Sequence, residues 1–549
     1  MTRSRPRTFL GTALTALVLV CPLGAQARDP NTIVIVTGQQ ATVPVPTLME
    51  GADNNLANLE VADQLFLRLA GFGPSLTTVG ERDFVPRLAR SWSRQDSLTL
   101  VFDLDPRARW HDGVPVTGAD VVFTFERARN PAIAPRLADL LRHISSVTAE
   151  GERRVVVRFS QPYAEQFYDV VYHVAPLPSH LLMGLTQDEL KRSEFVRNPV
   201  GNGPYRWVRS VPGQFIELAA NKRFFLGRPA VARVFVRIAA DPDARINFLL
   251  SGEADALENI VPPIANLARI EAARNLRLVP VPSPTVGYLL FNQRAPGDPE
   301  RPHPILADRS VRRAITLSLD RQALVQSVFG TYAQVPFGPA APILWIRHNA
   351  PAPLGPDPAA AGRLLSAAGW VDRDGDGVLD RDGRPLLLRL NFPNTSAVRG
   401  QMALQVQEQL RRVGIAIELQ RLEVPVWLER RSGGHFDIDF SSASQDPSPS
   451  GLTQSWSCSG GDNVAHYCNA RVDTLMERAI RGTGNPADSW HEVLRQIEDD
   501  APATFLYAPS YVHAIDRRFG HVTIRPESSW LELRQWTVER ARERPRSGY

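Results

Sequence analysis

Two cysteines near the carboxyl-terminal end carry the most reactive side chains of this sequence. Cys458 and Cys468 flank a glycine-rich polar loop that also contains His466. Two cysteines this close together favour a disulfide in a chain exported to an oxidising compartment. A metal site built from the two sulfurs and the imidazole is the alternative, although such a site usually needs a fourth ligand. We predict the Cys458–Cys468 disulfide and expect neither a bound metal nor a cofactor.

A run of alternating aspartates could bind calcium. Asp372, Asp374 and Asp376, followed by Gly377, match the first half of an EF-hand loop. The twelfth position of such a loop requires a bidentate glutamate, and here it is Gly383. The stretch therefore predicts a surface hairpin turn, with a calcium site as the alternative.

The motifs of secreted hydrolases are incomplete. The sequence contains no G-x-S-x-G, and H-E-V-L-R at His491 lacks the second histidine of the H-E-x-x-H zinc motif. We expect no catalytic residues and no enzymatic activity. A secreted hydrolase remains the rival class, because scattered acidic pairs cannot be assigned without geometry.

The first 27 residues have the three parts of a secretory signal peptide. Three arginines precede an apolar run over 9–20, and A-Q-A at 25–27 supplies a cleavage site. Val20 precedes Cys21, whereas a lipid-modified cysteine normally follows a small residue. We expect a cleaved signal, a chain that begins near Arg28, and a periplasmic location.

Composition bounds the class of protein. The 549-residue chain carries a net charge of +4, which falls to +1 when the three arginines of the signal are removed. So small a charge gives no reason to expect a nucleic-acid partner. The remaining 522 residues are enough for two or three domains.

Hydrophobic periodicity predicts a mixed α/β chain. Expected strands cover Thr32–Thr37, Leu98–Leu104, Arg154–Phe159, Val234–Ile238, Ile415–Leu419 and Phe436–Phe440. Expected helices cover Ala119–Ala128, Pro358–Ala368 with Asp357 as its cap, and Val398–Val413 ended by Gly414.

Several longer motifs resemble one family. W-H-D-G-V-P-V-T-G-A-D-V-V-F from Trp110, N-P-V-G-N-G-P-Y from Asn198 and G-Y-L-L-F-N from Gly287 occur in order. They are similar to segments of ABC-transporter extracytoplasmic solute-binding proteins of family 5, the dipeptide- and oligopeptide-binding family. The family has threonine at position 202, and we expect Asn202 to tolerate a left-handed conformation there.

The resemblance implies a fold and a domain plan. The fold is α/β, a two-lobed periplasmic binding protein fold of class II, cluster C, with an extra subdomain. Residues 28–76, 197–284 and 508–549 would form lobe I, 77–196 the appended subdomain, and 285–507 lobe II. The hinge would lie near Ser283–Asn292 and near Ala508.

The resemblance also implies a ligand site after the strand Phe436–Phe440. In relatives an aspartate of the following loop pairs with the free α-ammonium of a peptide, and Asp446, the acid of this loop, is the leading candidate. A turn or helix cap set by Asp446 and Pro447 is the alternative. Trp456 is a candidate for aromatic contact and equally for the core. Arg399 is a candidate for pairing with a carboxylate, although we expect it to face solvent on its helix.

The expected function is capture of a small solute, a peptide in the first place, by closure of two lobes. The partners would be that ligand and a membrane ABC permease, and the chain would be a monomer. Oligosaccharides, opines, glutathione and nickel complexes are alternative ligands. A sensor or chaperone that keeps the same fold without a permease is a further possibility.

Overall fold

A computed structural model describes residues 29–260 and 264–539. The signal peptide, Cys21 and the expected start at Arg28 lie outside the described residues. None of the described helices is long and apolar enough to cross a membrane.

The described strands are, in chain order, β1 Thr32–Thr37, β2 Ala70–Phe72, β3 Phe84–Pro86, β4 Ala89–Asp96, β5 Thr99–Leu104, β6 Ile144–Glu150, β7 Arg154–Phe159, β8 Tyr205–Val211, β9 Phe215–Ala220, β10 Arg233–Ile238, β11 Ala256–Leu257, β12 Leu276–Pro282, β13 Thr285–Phe291, β14 Arg294–Ala295, β15 Asp298–Pro302, β16 Ala333–Gln334, β17 Asp380–Arg381, β18 Arg384–Pro385, β19 Leu387–Pro393, β20 Ala416–Leu422, β21 Ile438–Ser444, β22 Ala503–Asp516, β23 Phe519–Gly520 and β24 Thr537–Val538.

The described α-helices are α1 Leu56–Leu65, α2 Gly118–Ala128, α3 Pro135–Leu140, α4 Gln166–Tyr172, α5 Ser179–Leu182, α6 Gln187–Arg192, α7 Glu194–Arg197, α8 Pro242–Leu250, α9 Ile264–Glu271, α10 Arg309–Ser318, α11 Arg321–Phe329, α12 Pro358–Ala367, α13 Ala397–Arg411, α14 Val424–Ser432, α15 Leu452–Trp456, α16 Ala470–Arg481 and α17 Pro486–Asp500.

One long strand joins the two halves of the main sheet. The order along the sheet is β20-β19-β21-β13-β22-β11-β1-β10-β9-β8, with β12 and β16 also paired to β22. The first part of β22 pairs with β13 and its later part pairs with β11 and β12. The central strand β1 is parallel to both of its neighbours, and its six residues are all buried, which explains their continuous apolar pattern.

A second sheet stands apart from the main one. It is four-stranded and antiparallel, in the order β4-β5-β7-β6, and α2 packs against β6 and β7. Thr117 and Asp120 form a capping box at the start of α2. The Asp120 carboxylate also accepts a hydrogen bond from the indole of Trp110 at 3.2 Å. The W-H-D-G motif is therefore a structural turn before α2, as expected.

Close approach to α1 explains the glycines of the N-P-V-G-N-G-P-Y motif. A Cβ on Gly201 would lie 1.9 Å from the backbone oxygen of Leu65, and one on Gly203 would lie 2.4 Å from that of Gln64. Asn202 is not left-handed, so that expectation is wrong. Instead Asn202 is fully buried and its Oδ1 accepts a hydrogen bond from the Leu67 backbone at 2.8 Å.

Helix punctuation follows the sequence closely. Asp357 accepts a hydrogen bond from Ala360 at the start of α12, and Gly369 after it has a left-handed φ of +85°. Strand β21 departs from its prediction. It begins two residues late and continues to Ser444, because β13 supplies hydrogen-bond partners along the whole serine-rich segment.

Candidate cleft site at the end of strand β21

A cavity of about 310 Å³ lies beside the junction of β13, β21 and β22. One wall includes Arg399 and Tyr507, and the other includes Ser510 and Tyr511 of the later part of β22. Tyr507 lies over Gly287 in β13, where an added Cβ would come within 2.2 Å of the phenol ring. Gly287 therefore makes room for an aromatic wall of the cavity.

Arg399 provides the positive charge of this cavity. It lies in the first turn of α13 and is half-buried, and its bond to Ser442 lies on the exposed side of the helix. Its guanidinium donates to Ser442 Oγ at 2.7 Å and stacks over Trp427 at 5.3 Å. The remaining donors of a guanidinium held in this way can bind a carboxylate in the cavity.

Asp446 lies two residues beyond the end of β21, and its side chain is exposed. Among the described residues it forms no ion pair. Burial, followed by the negative charge of Asp446, raises the pKa of the Tyr172 hydroxyl at the end of α4. An exposed carboxylate can pair with a ligand cation.

The segment around Asp446 is held firmly in place. Gln445 donates from its backbone to Pro284 O at 2.9 Å, and its side chain bonds to the backbones of Ala341 and Pro339 at 2.8 and 2.7 Å. On the other side, Pro447 is buried. The backbone on both sides of Asp446 is therefore fixed by its neighbours.

Two buried aspartates hold the start of β21 in place through side-chain hydrogen bonds. Asp437 bonds to Arg389 at 2.9 Å and to His303 at 3.2 Å, and although burial opposes ionisation these bonds lower its pKa. Asp439 accepts a hydrogen bond from the Trp427 indole at 2.7 Å. Sequence reasoning missed both anchors, which the alternation F-D-I-D-F marks as acids within a strand.

Trp456 lies in the core. It is 3% exposed and packs edge-on against Tyr288 at 5.7 Å and Phe505 at 5.4 Å. This packing gives the indole a structural role, and ligand contact by Trp456 stays a prediction.

Cys458 and Cys468 are joined by a disulfide, with their Cα atoms 4.3 Å apart. His466 lies between them in a left-handed conformation. Because both sulfurs are bonded to each other, neither is a thiolate ligand for a metal.

The aspartate run forms an exposed loop before β17. Oxygen atoms of Asp372, Asp374 and Asp376 lie within 4.8 Å of one another, which is close enough for a cation. The same carboxylates accept hydrogen bonds from loop backbone N–H groups, including that of Gly375 at 2.7 Å. These bonds account for the aspartates as turn residues.

The two α/β halves, the shared strand β22 and the cavity beside it are the features of a solute-binding protein. The chain matches the bacterial extracellular solute-binding proteins, family 5, over residues 83–464, and it belongs to that family. As this description says, the members of the family are extracellular solute-binding proteins.

Relatives agree with this assignment. The chain is 27% identical over 440 residues to the oligopeptide-binding protein AppA of Bacillus subtilis, covering 78% of each chain. It is 29% identical over 419 residues to a putative ABC transporter peptide-binding protein of Brucella ovis, covering 74% of each.

Solved structures show the same two-lobed fold. The AppA structure from Bacillus subtilis in complex with a nonapeptide superposes with a TM-score of 0.72 at 24% identity, covering 93% of this chain and 99% of that one. NikA from Brucella suis in complex with Fe(III)-EDTA gives a TM-score of 0.79 at 21% identity, covering 92% and 100%.

Proposed function

We propose that this protein captures short peptides between its two lobes and delivers them to an ABC importer. The observation that carries the proposal is a cavity lined by Arg399 and Ser442, with the exposed carboxylate of Asp446 four residues further along the chain from Ser442. A peptide presents an ammonium at one end and a carboxylate at the other, and each would meet its opposite charge. Peptide-binding relatives support the same class of ligand.

The separation of the two candidate residues along the chain suggests a short ligand. Arg399 is hydrogen-bonded to Ser442, and Asp446 follows four residues later. Four extended residues span at most about 14 Å of backbone, which is also about the length of an extended tetrapeptide. Among the described residues, those that line the cavity include no histidine, cysteine or carboxylate, so their chemistry suits a peptide better than direct coordination of nickel.

The domain plan is part of the proposal. Lobe I would comprise 28–76, 197–284 and 508–549, and lobe II 285–507, with 77–196 appended. Closure would bend β13 and β22 where they cross between the lobes, and ligand binding would favour the closed state because both lobes then contact the peptide.

The remaining parts of the proposal follow from export. A cleaved signal peptide would place the protein in the periplasm, where the Cys458–Cys468 disulfide is stable. The protein would act as a monomer, without catalysis and without nucleic acid. Its permease would bind the closed form.

Calorimetry with four ligands tests the proposal. Tetra-alanine, its N-acetyl form, its C-terminal amide and the doubly blocked peptide are titrated into the protein and into the D446N and R399Q variants. We expect D446N to weaken the binding of tetra-alanine about 10-fold or more and to leave the binding of the N-acetyl peptide unchanged. R399Q should weaken the binding of tetra-alanine by a similar factor and leave the binding of its C-terminal amide unchanged.

Matched controls are available for both variants. D462N removes an exposed aspartate from the disulfide loop, and R412Q removes an exposed arginine from the far end of α13. Neither should change affinity. If the protein binds all four peptides equally, the assignment of the two termini to Asp446 and Arg399 is wrong, and binding of a nickel–histidine complex in their place would change the class of ligand.

A further inference from the structure

A buried carboxylate of the 77–196 segment contacts the loop that carries Asp446. Glu165 stands immediately before α4 and is 6% exposed. Its Oε2 accepts hydrogen bonds from Ser448 Oγ at 2.6 Å and from Ser450 Oγ. Its Oε1 accepts one from Thr78 Oγ1. One side chain thus joins two parts of the chain that are 283 residues apart.

Glu165 is held by hydroxyl groups alone. No described arginine, lysine or histidine forms an ion pair with it, and burial raises its pKa against the opposing hydrogen bonds from Ser448 and Ser450. A buried acid without a cation costs folding free energy. Its presence at this junction points to a role beyond packing.

Neighbouring contacts hold the region around Glu165 against the 285–507 segment. Thr78 accepts a hydrogen bond from the Trp345 indole at 3.0 Å. The Ala164 backbone donates to Ile480 O at 2.9 Å. Gly482, at the end of α16, approaches so closely that an added Cβ would lie 3.1 Å from that of Ala164. The carboxylate is therefore presented to the loop from a rigid support.

The hydrogen bonds fall just after the proposed ammonium site. Ser448 is two residues beyond Asp446, with the buried Pro447 between them, and Ser448 Oγ also accepts a bond from the Ser450 backbone at 3.1 Å. Movement of the serines would move the Asp446 carboxylate. We propose that Glu165 is a positioning residue that sets the direction of Asp446 toward the peptide ammonium, an inference that rests on the proposed function.

The test measures discrimination between a free and a blocked amino terminus. The readout is the ratio of the Kd of N-acetyl tetra-alanine to that of tetra-alanine, by calorimetry. It compares wild type with E165A, with E165Q, with the S448A/S450A double variant and with D446N. E126Q is the matched control, because it also removes a carboxylate from the 77–196 segment, and Glu126 is exposed on α2.

We expect E165A and S448A/S450A each to lower the ratio about 10-fold, toward that of D446N, while E126Q keeps the wild-type ratio. E165Q should keep most of the wild-type ratio. Its amide can still hydrogen-bond to the neighbouring hydroxyl groups, which can turn to donate or accept. Because Glu165 acts through Asp446, adding E165A to D446N should not lower the ratio of Kd values any further.

Two results overturn the inference and are distinguishable. If D446N lowers the ratio and both E165A and S448A/S450A leave it unchanged, Glu165 has no positioning role and the proposed function stands. If D446N also leaves the ratio unchanged, the ammonium contact itself is wrong and the inference fails with it. Should E165A not fold, as judged by circular dichroism, S448A/S450A and E165Q decide alone.

Discussion

His111 and Gly201 are joined by two hydrogen bonds, although 90 residues separate them. The His111 backbone donates to Gly201 O at 2.7 Å, and the Gly201 backbone donates to His111 Nδ1 at 3.1 Å. Because Nδ1 accepts, Nε2 carries the proton and donates to Gly203 O at 3.1 Å. The imidazole thus links the W-H-D-G motif to the glycine-rich motif, which explains structurally why both occur together.

Removal of this imidazole should destabilise the first lobe. H111A leaves the buried Gly201 N–H without a partner and leaves Gly203 C=O with only the Asn221 amide, and we expect the free energy of unfolding to fall by about 2 kcal/mol. Urea denaturation measures the change. H348A, at an exposed histidine, is the control, and equal midpoints for the two variants would contradict the expectation.

Acid should remove the contribution of His111. Burial lowers the pKa of His111 to about 4 from its ordinary value of 6.5. A group whose pKa is depressed by folding stabilises the protein above the unfolded pKa and loses that effect as pH falls through the folded pKa. The advantage of wild type over H111A should therefore shrink by about 2–3 kcal/mol between pH 6.5 and 4. An advantage independent of pH would refute the neutral imidazole.

A pair of carboxyl groups in lobe I should have the opposite pH dependence. Burial, followed by the charge of Glu258, raises the pKa of Glu60 well above 4.5, and the two groups are hydrogen-bonded. Glu258 also accepts bonds from Thr37 and the Trp530 indole, and Glu60 accepts one from the Ser529 backbone. Because folding raises the pKa of Glu60, the contribution of its protonated form to stability is complete below the pKa of the unfolded chain. That contribution is lost as the pH rises through the pKa of the folded protein.

The E60Q variant tests this pair, because a neutral amide imitates the protonated acid. We expect E60Q to match wild type at pH 5 and to become the more stable protein as pH rises toward 9. Urea denaturation over that range measures the difference, with the exposed E126Q as control. A variant that is less stable than wild type at every pH would show that Glu60 is ionised.

The disulfide should contribute measurably to stability. Closing a loop with a separation of 10 residues contributes about 2–3 kcal/mol in the chain-entropy account. C458S/C468S should lose that amount in guanidinium denaturation. A thiol assay of the unfolded chain lacking residues 1–27 should detect no free cysteine, and two free thiols would leave the metal alternative to be tested with zinc.

Local structure was predictable where the pattern is set by near neighbours. The strand at Thr32–Thr37 and the Asp357 cap of α12 lie where the sequence placed them, because a buried parallel strand is continuously apolar and a cap acts within three residues. Serine-rich β21 was shortened in the prediction, since its ladder depends on β13, about 150 residues earlier along the chain.

The site was only partly predictable. Asp446 and Arg399 were candidates from the sequence, and their ligand contacts stay predictions. The surroundings of Arg399 come from Ser442 and Trp427, which the chain brings together only on folding. Glu165 has no local signal, because its partners are hydroxyl groups far away in the sequence.

Native mass spectrometry of the protein purified gently from an exported preparation tests the central claim most directly. A closed binding protein retains its ligand, so we predict a series of added masses that fragment into amino-acid residues and that is lost in D446N but kept in D462N. A single adduct that contains no amino-acid residues, equally present in both variants, would contradict capture of peptides through their amino terminus.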